Sequence, residues 1–289
     1  ASFPYSPGFN PYQRLFTGAI ENAGVRVVRI PPRKWFPLQH TNSIDCNILH
    51  IDWPHDWYRG RNWVTEKLKG WMYLRGLRTL KHRLIWSAHN LIAHDAINSD
   101  REHRMIQALV SHCDGILVFT HAAEALLRST YEVDDKTQIR VIPHGHYIDC
   151  YPNSSTTAEA RKRLGVLADD RLVVSIGSVK PYKGIESLIE RFRQECVTNI
   201  RWIIAGQVIN DGYGRHIRNL IEQANLVGCQ IELRSALVDD NELQYYFNAA
   251  DACILPFENV LNSGSLIMAM SFGCPIVAPA VGSIPEVID

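Results

Sequence analysis

The sequence lacks several features that define common protein classes. Its seven cysteines are scattered and never three residues apart, so the C-x-x-C pair of a zinc or redox site does not occur. No run of about 18 or more apolar residues occurs either, so the sequence predicts no membrane-spanning helix. An odd number of scattered cysteines favours reduced thiols, and we therefore expect a cytoplasmic protein.

Two signatures of ligand chemistry are also missing. No G-x-G-x-x-G follows a predicted strand, which disfavours an oxidoreductase that binds a dinucleotide. No D-x-D pair occurs, and we expect neither a metal ion nor a cofactor. The 30 basic residues balance 30 acidic ones, and no recognition motif is present, so we expect no nucleic-acid partner.

Short apolar, β-branched runs alternate with amphipathic stretches along the whole chain. The runs lie at 25–30, 47–52, 83–88, 115–119, 139–143, 171–177, 200–206, 229–234, 252–256 and 275–279. Runs that are apolar throughout indicate parallel strands that are covered on both faces. The predicted fold class is therefore α/β, with doubly wound sheets.

The runs form two sets of five, separated by the polar segment "HGHYIDCYPNSSTTAEARKRLG". Such a segment is typical of a linker that leads into a helix. We therefore expect two Rossmann-like domains, covering residues 1–150 and 151–289. We also expect the second domain to be truncated, because "GSIPEVID" stops where another helix would begin.

A loop with two lysines follows the apolar run "RLVVSIG". In "IGSVKPYKGIESLI", Lys180 and Lys183 precede Gly184, where a helix is predicted to begin. A helix start has unpaired N–H groups and a partial positive charge, so two lysines beside it favour a phosphate site. Taken alone, however, this pattern is more typical of an exposed turn with solvated lysines.

A second segment, "ILPFENVLNSGSLIMAMSFGCPIVAPAVGSIPEVI", predicts a strand, a polar loop and a helix of small residues. Asn262 or Ser263 can cap this helix, and Gly264 lets a ligand approach the backbone closely. Two helix starts in the same half of the chain, one of them with lysines, suit the two phosphates of a pyrophosphate.

The two segments together resemble the donor-binding half of group 1 (family 4-like) glycosyltransferases with the GT-B fold, among them bacterial polysaccharide-assembly enzymes. In the first half, "SPGFNPYQRLFTGAIENAGVRVV", "LHIDWPH", "SAHNLIAHD" and "VIPHGHY" resemble the family's opening loop and strand ends. The resemblance covers nearly the whole chain. It implies an acceptor-binding first domain and a second domain that binds a nucleotide sugar.

The resemblance implies an enzyme of the hexosyltransferase type. It would move a sugar from a nucleotide-diphosphate sugar to a glycan or lipid-linked acceptor, without a metal, in polysaccharide biosynthesis. Lys183 matches the family's diphosphate-binding lysine, Ser178 stands in place of an arginine, and Lys180 is placed to supply that missing charge. These lysines and the helix amides would stabilise the leaving diphosphate. The implied donor-binding residues are Ser178, Gly184, Glu258, Asn262, Ser263, Gly264 and Ser265.

The sequence departs from the family at its pair of carboxylates. The E-x7-E positions fall on Val260 and Met268, and Glu258 is a candidate substitute for the first. This departure leaves two alternatives open. One is a non-catalytic GT-B protein that binds a sugar nucleotide or glycan, and the other is a nucleotide-sugar epimerase.

His89 matches the family's active-site histidine of the first domain, which the resemblance implies contacts the donor sugar. Without the resemblance, a structural histidine at a strand end fits equally well. Candidates for the acceptor side are polar or glycine residues of the surrounding loops, each of them alone more typical of a polar rim. They are Gly8, Asn10, Asp52, His55, His94 and Asp95.

The stretch "RGRNWVTEKLKGWMYLRGLRTLKHR" (59–83) carries eight Lys and Arg residues against one Glu, with Trp63 and Trp71 between them. A basic helix that carries Trp favours contact with an anionic membrane surface, which would place the protein at the inner face of the membrane. A core helix with solvated charges fits equally well.

Overall fold

The computed structural model describes residues 1–3, 5, 11–31, 38–91 and 99–288. The chain forms two compact units, Ala1–Gly145 with Glu286–Asp289 (unit 1) and His146–Pro285 (unit 2). The units divide slightly before the expected boundary at residue 150, and the last residues belong to unit 1 rather than unit 2. Within unit 1, the Glu286 carboxylate accepts a hydrogen bond from the backbone N–H of His121 at 2.7 Å.

Unit 1 is built on a parallel sheet of five strands in the order β1-β2-β3-β4-β5. The strands are β1 (Ser2–Phe3), β2 (Ile48–Ile51), β3 (Arg83–Ser87), β4 (Gly115–Val118) and β5 (Gln138–Val141). In β2 the consecutive residues Leu49, His50 and Ile51 are all buried, so both faces of the sheet are covered there.

The run at 25–30, predicted as a strand, is not one of these five strands. An isolated bridge between Ser2 and Arg29 joins it to β1. Val25 is 55% exposed, so the run lacks the burial on both faces that its apolar composition led us to expect. The first strand of the sheet is Ser2–Phe3 instead, which pairs with β2.

The helices of unit 1 follow the strands in alternation. They are α1 (Tyr12–Asn22), a 3-10 helix (Leu38–Ser43), α2 (His55–Tyr58), α3 (Trp63–Arg78), α4 (Ser99–Val110) and α5 (His121–Thr130). At the start of α3, Asn62 Oδ1 accepts from the Thr65 N–H at 2.9 Å and Thr65 Oγ1 accepts from the Asn62 N–H at 3.2 Å. This capping box fixes where the basic helix begins.

Unit 2 contains a second parallel sheet, in the order β10-β9-β6-β7-β8. Its strands are β6 (Leu172–Ile176), β7 (Arg201–Ala205), β8 (Gln230–Arg234), β9 (Ala252–Ile254) and β10 (Ile276–Val277). The chain runs outward from β6 to β8 and then returns to the other side of β6. The strand order therefore reverses between β6 and β9, and ligands of open α/β sheets bind beyond the carboxyl ends of strands at such a point.

Helices pack around this second sheet. They are α6 (Thr157–Leu164), a 3-10 helix (Pro181–Lys183), α7 (Ile185–Gln194), α8 (Asp211–Leu226), α9 (Leu243–Ala249) and α10 (Gly264–Ser271). The last helix, α11 (Ile284–Val287), begins in unit 2 and ends in unit 1. Trp202 is fully buried in the core, and its indole N–H donates to Ser175 Oγ at 3.0 Å. The predicted α/β class is confirmed by the two parallel sheets.

Candidate active site

The turn after β6 brings three elements of unit 2 together. Gly177 has a φ of +122°, and a Cβ there would lie 2.8 Å from the Ser265 Oγ. Gly206, after β7, has a φ of +155°, and a Cβ there would lie 1.9 Å from the Gly177 carbonyl oxygen. Glycine is required at both positions, since a side chain at 177 would collide with Ser265 of α10 and one at 206 would collide with the backbone of Gly177.

Gly184 joins the loops that follow β6 and β9. It adopts a left-handed conformation with a φ of +69°, and a Cβ would lie 1.8 Å from the Pro256 carbonyl oxygen. The loop that carries the two lysines therefore packs directly against the loop after β9. This contact lies where the strand order reverses.

Lys183 points toward α10 from this loop. Its Nζ lies 3.4 Å from the Ser265 Oγ and 4.9 Å from the centroid of the Phe257 ring. Burial, followed by the charge of Lys180, lowers the pKa of the Lys183 ammonium to about 8. A half-buried ammonium with a lowered pKa gains most from a neighbouring anion, because an anion stabilises its charged form.

The start of α10 supplies hydrogen-bond donors beside this ammonium. Ser263 caps the helix, and its Oγ accepts from the Leu266 N–H at 3.1 Å. The first N–H groups of a helix, here those of Gly264 and Ser265, have no acceptor within the helix, and the helix dipole makes this end positive. The Lys183 ammonium and the free N–H groups at the start of α10 thus place positive charge next to hydrogen-bond donors.

The other residues predicted around the lysines lie on the same loops. Ser178 is exposed, whereas Lys180 is half-buried and its carbonyl accepts from the Lys183 N–H at 3.1 Å. A small cavity opens between the two loops. Among the residues that line it are Gly177, Ser178, Lys183, Ile185, Pro256 and Phe257.

The two lost carboxylates are replaced by apolar packing. Val260 is 3% exposed, and Met268 is half-buried on α10. Glu258 is exposed, and its Oε1 accepts from the Ser187 hydroxyl at 2.5 Å in the first turn of α7. Its Cγ lies 3.3 Å from where a Cβ on Gly184 would stand, so this carboxylate lies beside the lysine loop.

His89 lies in unit 1, two residues beyond β3. Its Nε2 lies 3.2 Å from Asp52 Oδ1, beyond the end of β2. Its ring stacks on Trp53 at 4.8 Å between centroids and meets the edge of Tyr12 at 4.6 Å. His89 and Asp52 were predicted separately as site residues, and the structure brings the two side chains into contact.

Asp52 is only 2% exposed, so it is buried rather than part of an open rim. Its Oδ2 accepts from the Gln13 side-chain amide at 2.7 Å. Burial by itself would raise the pKa of the Asp52 carboxyl, but the hydrogen bond from His89 and the nearby His50 outweigh it and lower the pKa. Direct contact of Asp52 with an acceptor, as expected from the sequence, does not fit this burial.

The sequence analysis missed the polar side chains behind this pair. His50 Nε2 lies 2.8 Å from the Ser87 hydroxyl, which the Tyr12 hydroxyl approaches to 3.5 Å. Burial lowers the pKa of His50, which keeps its ring neutral. The available signal was a polar residue inside each of two apolar strands, namely His50 in "ILHI" and Ser87 in "RLIWS".

The remaining acceptor-side candidates are less well placed or not described. His55 lies on α2, where its ring meets the edge of Tyr58 at 6.4 Å. The other four lie outside the residues that the structure describes, and they are Gly8, Asn10, His94 and Asp95.

One side of α3 exposes aromatic and basic side chains to solvent. Trp63 is 70% exposed and Trp71 59% exposed, and the Lys67 ammonium lies 5.0 Å from the Trp63 ring. The opposite side packs closely, since a Cβ on Gly76 would lie 2.8 Å from the Leu38 Cβ. We call the exposed side the α3 outer face, formed by Trp63, Val64, Lys67, Leu68, Trp71 and Arg75.

The described part of the chain contains neither a cluster of metal ligands nor a helix suited to span a membrane. There, no three His, Cys, Asp or Glu side chains are grouped so that they could hold a metal ion. Among the same residues, no helix combines the length and the apolar character that crossing a membrane requires.

The family model of group 1 glycosyl transferases matches residues 170–289. Residues 170–289 are a group 1 glycosyltransferase domain. The match begins just before β6, so the domain contains Lys183, Ser265 and the glycine contacts around them. The His89 cluster of unit 1 lies outside the matched residues.

Curated relatives extend the similarity over more of the chain. The chain is 25% identical over 278 residues to a GDP-mannose:glycolipid 4-beta-D-mannosyltransferase of Xanthomonas campestris pv. campestris, covering 93% of this chain and 70% of the relative. It is 27% identical over 253 residues to a D-inositol 3-phosphate glycosyltransferase of Corynebacterium glutamicum, covering 80% of this chain and 57% of that relative. The similarity to these two relatives thus extends beyond residues 170–289 into the first half of the chain.

Solved structures show the same fold as the whole chain. Sucrose-phosphate synthase from Thermosynechococcus elongatus has a TM-score of 0.66 at 20% identity, covering 99% of this chain and 65% of that one. Anabaena HepE in complex with UDP and glucose has a TM-score of 0.66 at 16% identity, covering 95% and 73%. The fold is that of the GT-B glycosyltransferases, as the sequence predicted.

Proposed function

We propose that the protein transfers a sugar from a nucleoside-diphosphate sugar to a glycan or lipid-linked acceptor. The group 1 domain supports the reaction class. The Xanthomonas relative is named for GDP-mannose and a glycolipid, and HepE was solved with UDP and glucose. These names support a nucleotide sugar as donor and a sugar-bearing acceptor.

The observation that carries the proposal is the contact between Lys183 Nζ and Ser265 Oγ at 3.4 Å. As the bond between C1 of the sugar and the phosphate oxygen breaks, negative charge builds on the diphosphate. Lys183, Lys180 and the N–H groups at the start of α10 stabilise that charge and so lower the barrier. The three glycines of the site allow the close packing of its loops, which holds Lys183 beside the start of α10.

Glu258 is proposed to contact the donor sugar. It is exposed beside Gly184, and its hydrogen bond to Ser187 fixes the direction of the carboxylate. The two family carboxylates are absent, so the sugar and the ribose are held by fewer charged groups than in the family pattern. We also propose that His89 of unit 1 is a catalytic residue that contacts the donor sugar.

We propose that the reaction needs no metal ion, since two lysines and a helix start already supply positive charge to the leaving group. Excess chelator should leave the transfer rate unchanged. A rate that falls with chelator and returns on addition of Mg²⁺ or Mn²⁺ would contradict this point.

We also propose that the protein works in the cytoplasm, at the inner face of the membrane. The α3 outer face combines two exposed Trp side chains with basic residues. Trp side chains partition into the lipid interface, and the anionic cytoplasmic leaflet attracts Lys and Arg. This contact would bring the enzyme to a lipid-linked acceptor.

The proposal is tested by incubating the protein with UDP-, GDP- and dTDP-sugars, with and without lipid-linked acceptors. We expect transfer from one donor class, and we expect Lys183→Ala to lower the rate by about 100-fold or more, as loss of a charge-stabilising donor does. Lys162→Ala is the matched control, because Lys162 is an exposed lysine on α6 of the same unit. Binding of donor without turnover would favour a non-catalytic binding protein. Interconversion of donors without acceptor would favour an epimerase.

A further inference from the structure

Cys46 and His82 form a thiol–imidazole pair at the amino ends of the neighbouring strands β2 and β3. Cys46 lies two residues before β2, and His82 lies directly before β3. The distance between the Cys46 Sγ and the His82 Nδ1 is 3.7 Å, and both residues are half-buried. Asp52 and His89 follow the carboxyl ends of the same strands, so the thiol–imidazole pair lies at the other edge of the sheet from these candidate site residues.

The tautomer of His82 is fixed by a backbone carbonyl. The His82 Nε2 lies 2.8 Å from the Thr41 carbonyl oxygen. A carbonyl oxygen only accepts hydrogen bonds, so Nε2 carries a hydrogen. In the neutral ring, Nδ1 then holds the lone pair that faces Cys46, and the thiol donates to it. The pair thus has the arrangement of a nucleophile and a base, with the base oriented by a third group.

Asn42 holds the two segments of the pair together. Its side-chain amide donates to the Thr79 carbonyl at 2.8 Å, and its Oδ1 accepts from the Lys81 N–H at 2.9 Å. Asn42 belongs to the 3-10 helix that precedes Cys46, and Lys81 directly precedes His82. Because these two hydrogen bonds join the segment before β3 to the segment before β2, the thiol and the imidazole are held next to each other by the backbone.

A guanidinium lies close to the thiol as well. Arg26 donates to the Asp45 carboxylate at 2.8 Å, and Asp45 directly precedes Cys46 in the chain. The hydrogen bond to Asp45 and then the charge of Asp45 raise the pKa of Arg26, and Cys46 makes a smaller contribution in the same direction. Arg26 is therefore near enough to interact with the negative charge that forms on the sulfur when the thiol gives up its proton.

Other thiols of the chain face groups that do not take a proton, or are buried. Cys196 and Cys229 each donate to a backbone carbonyl, at 3.7 and 3.4 Å. Burial raises the pKa of the Cys253 thiol to about 12, which keeps it protonated. Cys196 is the matched comparison for Cys46, because it is exposed and therefore more accessible to a reagent, but has no base beside it in that contact.

We propose that Cys46 is a modification site for low-molecular-weight disulfides, with His82 as its base. The His82 Nδ1 takes the proton of the thiol while the sulfur attacks one sulfur of the reagent. A bond forms between these two sulfurs, the disulfide bond of the reagent breaks, and the departing thiolate takes the proton from His82. Cys46 is oxidised to a mixed disulfide, and half of the reagent is reduced to a thiol, so no further oxidant is required. The site does not depend on the proposed sugar transfer.

The proposal is tested by incubating the whole protein with glutathione disulfide at pH 7 and following the mass of the cysteine-containing peptides with time. We expect Cys46 to form the mixed disulfide faster than Cys196 by about threefold or more, because the imidazole supplies the thiolate that carries the exchange. A rate at Cys46 that is equal to or lower than the rate at the more exposed Cys196 would overturn the proposal. This comparison is made within the wild-type protein and needs no variant.

His82→Gln distinguishes a base from a structural contact. Gln can still donate to the Thr41 carbonyl, but it cannot take the thiol proton. We expect the rate at Cys46 to fall by about threefold or more and the rate at Cys196 to stay the same. If the rate at Cys46 is unchanged in this variant, His82 only holds the segment in place and the proposal is wrong.

Discussion

The Lys183 ammonium lies 3.4 Å from the Ser265 hydroxyl, although 82 positions separate the two residues in the chain. The contact joins the loop after β6 to the start of α10, where the strand order of unit 2 reverses. The lysine loop and the start of α10, which the sequence analysis assigned to one diphosphate site, therefore lie in contact, as our proposal of a donor site requires. The account of donor binding depends on this convergence.

The lowered pKa of Lys183 predicts how nucleoside diphosphate binding depends on pH. The free ammonium has a pKa of about 8, and a bound diphosphate raises it by stabilising the charged form. Between pH 7 and pH 8 binding should therefore change little, and above pH 8 it should weaken by up to about tenfold per pH unit, because a proton must be taken up. Calorimetric titration with UDP and GDP between pH 7 and pH 9 measures this.

Lys183→Arg is the control for this pH dependence. A guanidinium stays charged throughout the range, so the weakening between pH 8 and pH 9 should disappear. If wild-type binding is unchanged up to pH 9, the lysine does not contact the diphosphate.

Gly184→Ala should cost more stability than Gly165→Ala, although both glycines have a φ of +69°. A left-handed alanine costs about 1–2 kcal/mol at either position. At Gly165 nothing lies within 4 Å of the new Cβ, whereas at Gly184 it would lie 1.8 Å from the Pro256 carbonyl oxygen. Urea unfolding of both variants measures the difference. Equal losses would show that the loops after β6 and β9 do not pack as described.

Some elements of the fold and of the candidate site could be predicted from the sequence, and others could not. The strand at 172–176 was predictable, because a run that is buried on both faces must be apolar throughout. The run at 25–30 has the same composition but is exposed, and only its tertiary neighbours decide that. The hydrogen bond between His50 and Ser87 joins two strands 37 residues apart, and local pattern carries no information on such a pair.

The orientation of α3 was likewise open in the sequence, because apolar and basic residues occur on every side of it. In the structure, the side of α3 that faces inward is the one with Gly70 and Gly76. Without side chains there, Arg101 packs against Gly70 and Leu38 packs against Gly76. The two tryptophans are consequently left on the outside. Small residues at this spacing were the signal that the sequence analysis did not use.

Stability should fall between pH 7 and pH 5 because of His50. Burial lowers the pKa of this ring, so the unfolded chain binds more protons than the folded one in this range. The stabilisation is present above the ordinary pKa of about 6.5 and is lost as the pH falls. Thermal unfolding at the two pH values measures the loss. His50→Gln should reduce it, and a loss that is identical in wild type and His50→Gln would contradict the assignment.

The α3 outer face predicts binding to anionic vesicles. Wild-type protein should float with vesicles that contain phosphatidylglycerol and not with pure phosphatidylcholine, and Trp63→Ser with Trp71→Ser should lower the bound fraction. Leu226→Ser and Leu167→Ser form the control, since they remove side chains that are 86% and 71% exposed elsewhere. Equal partitioning of all forms into both vesicles would exclude this surface as a membrane contact.

The most direct test of the central claim is the affinity of the protein for a nucleoside diphosphate at pH 7, measured by calorimetry in wild type, Lys183→Ala and Lys162→Ala. Loss of a hydrogen bond between charged groups costs about 1.5–3 kcal/mol, or roughly 10-fold to 100-fold in Kd. We predict such a loss for Lys183→Ala and wild-type affinity for Lys162→Ala. If Lys183→Ala binds the diphosphate as tightly as wild type does, the loop after β6 and α10 do not form the donor site.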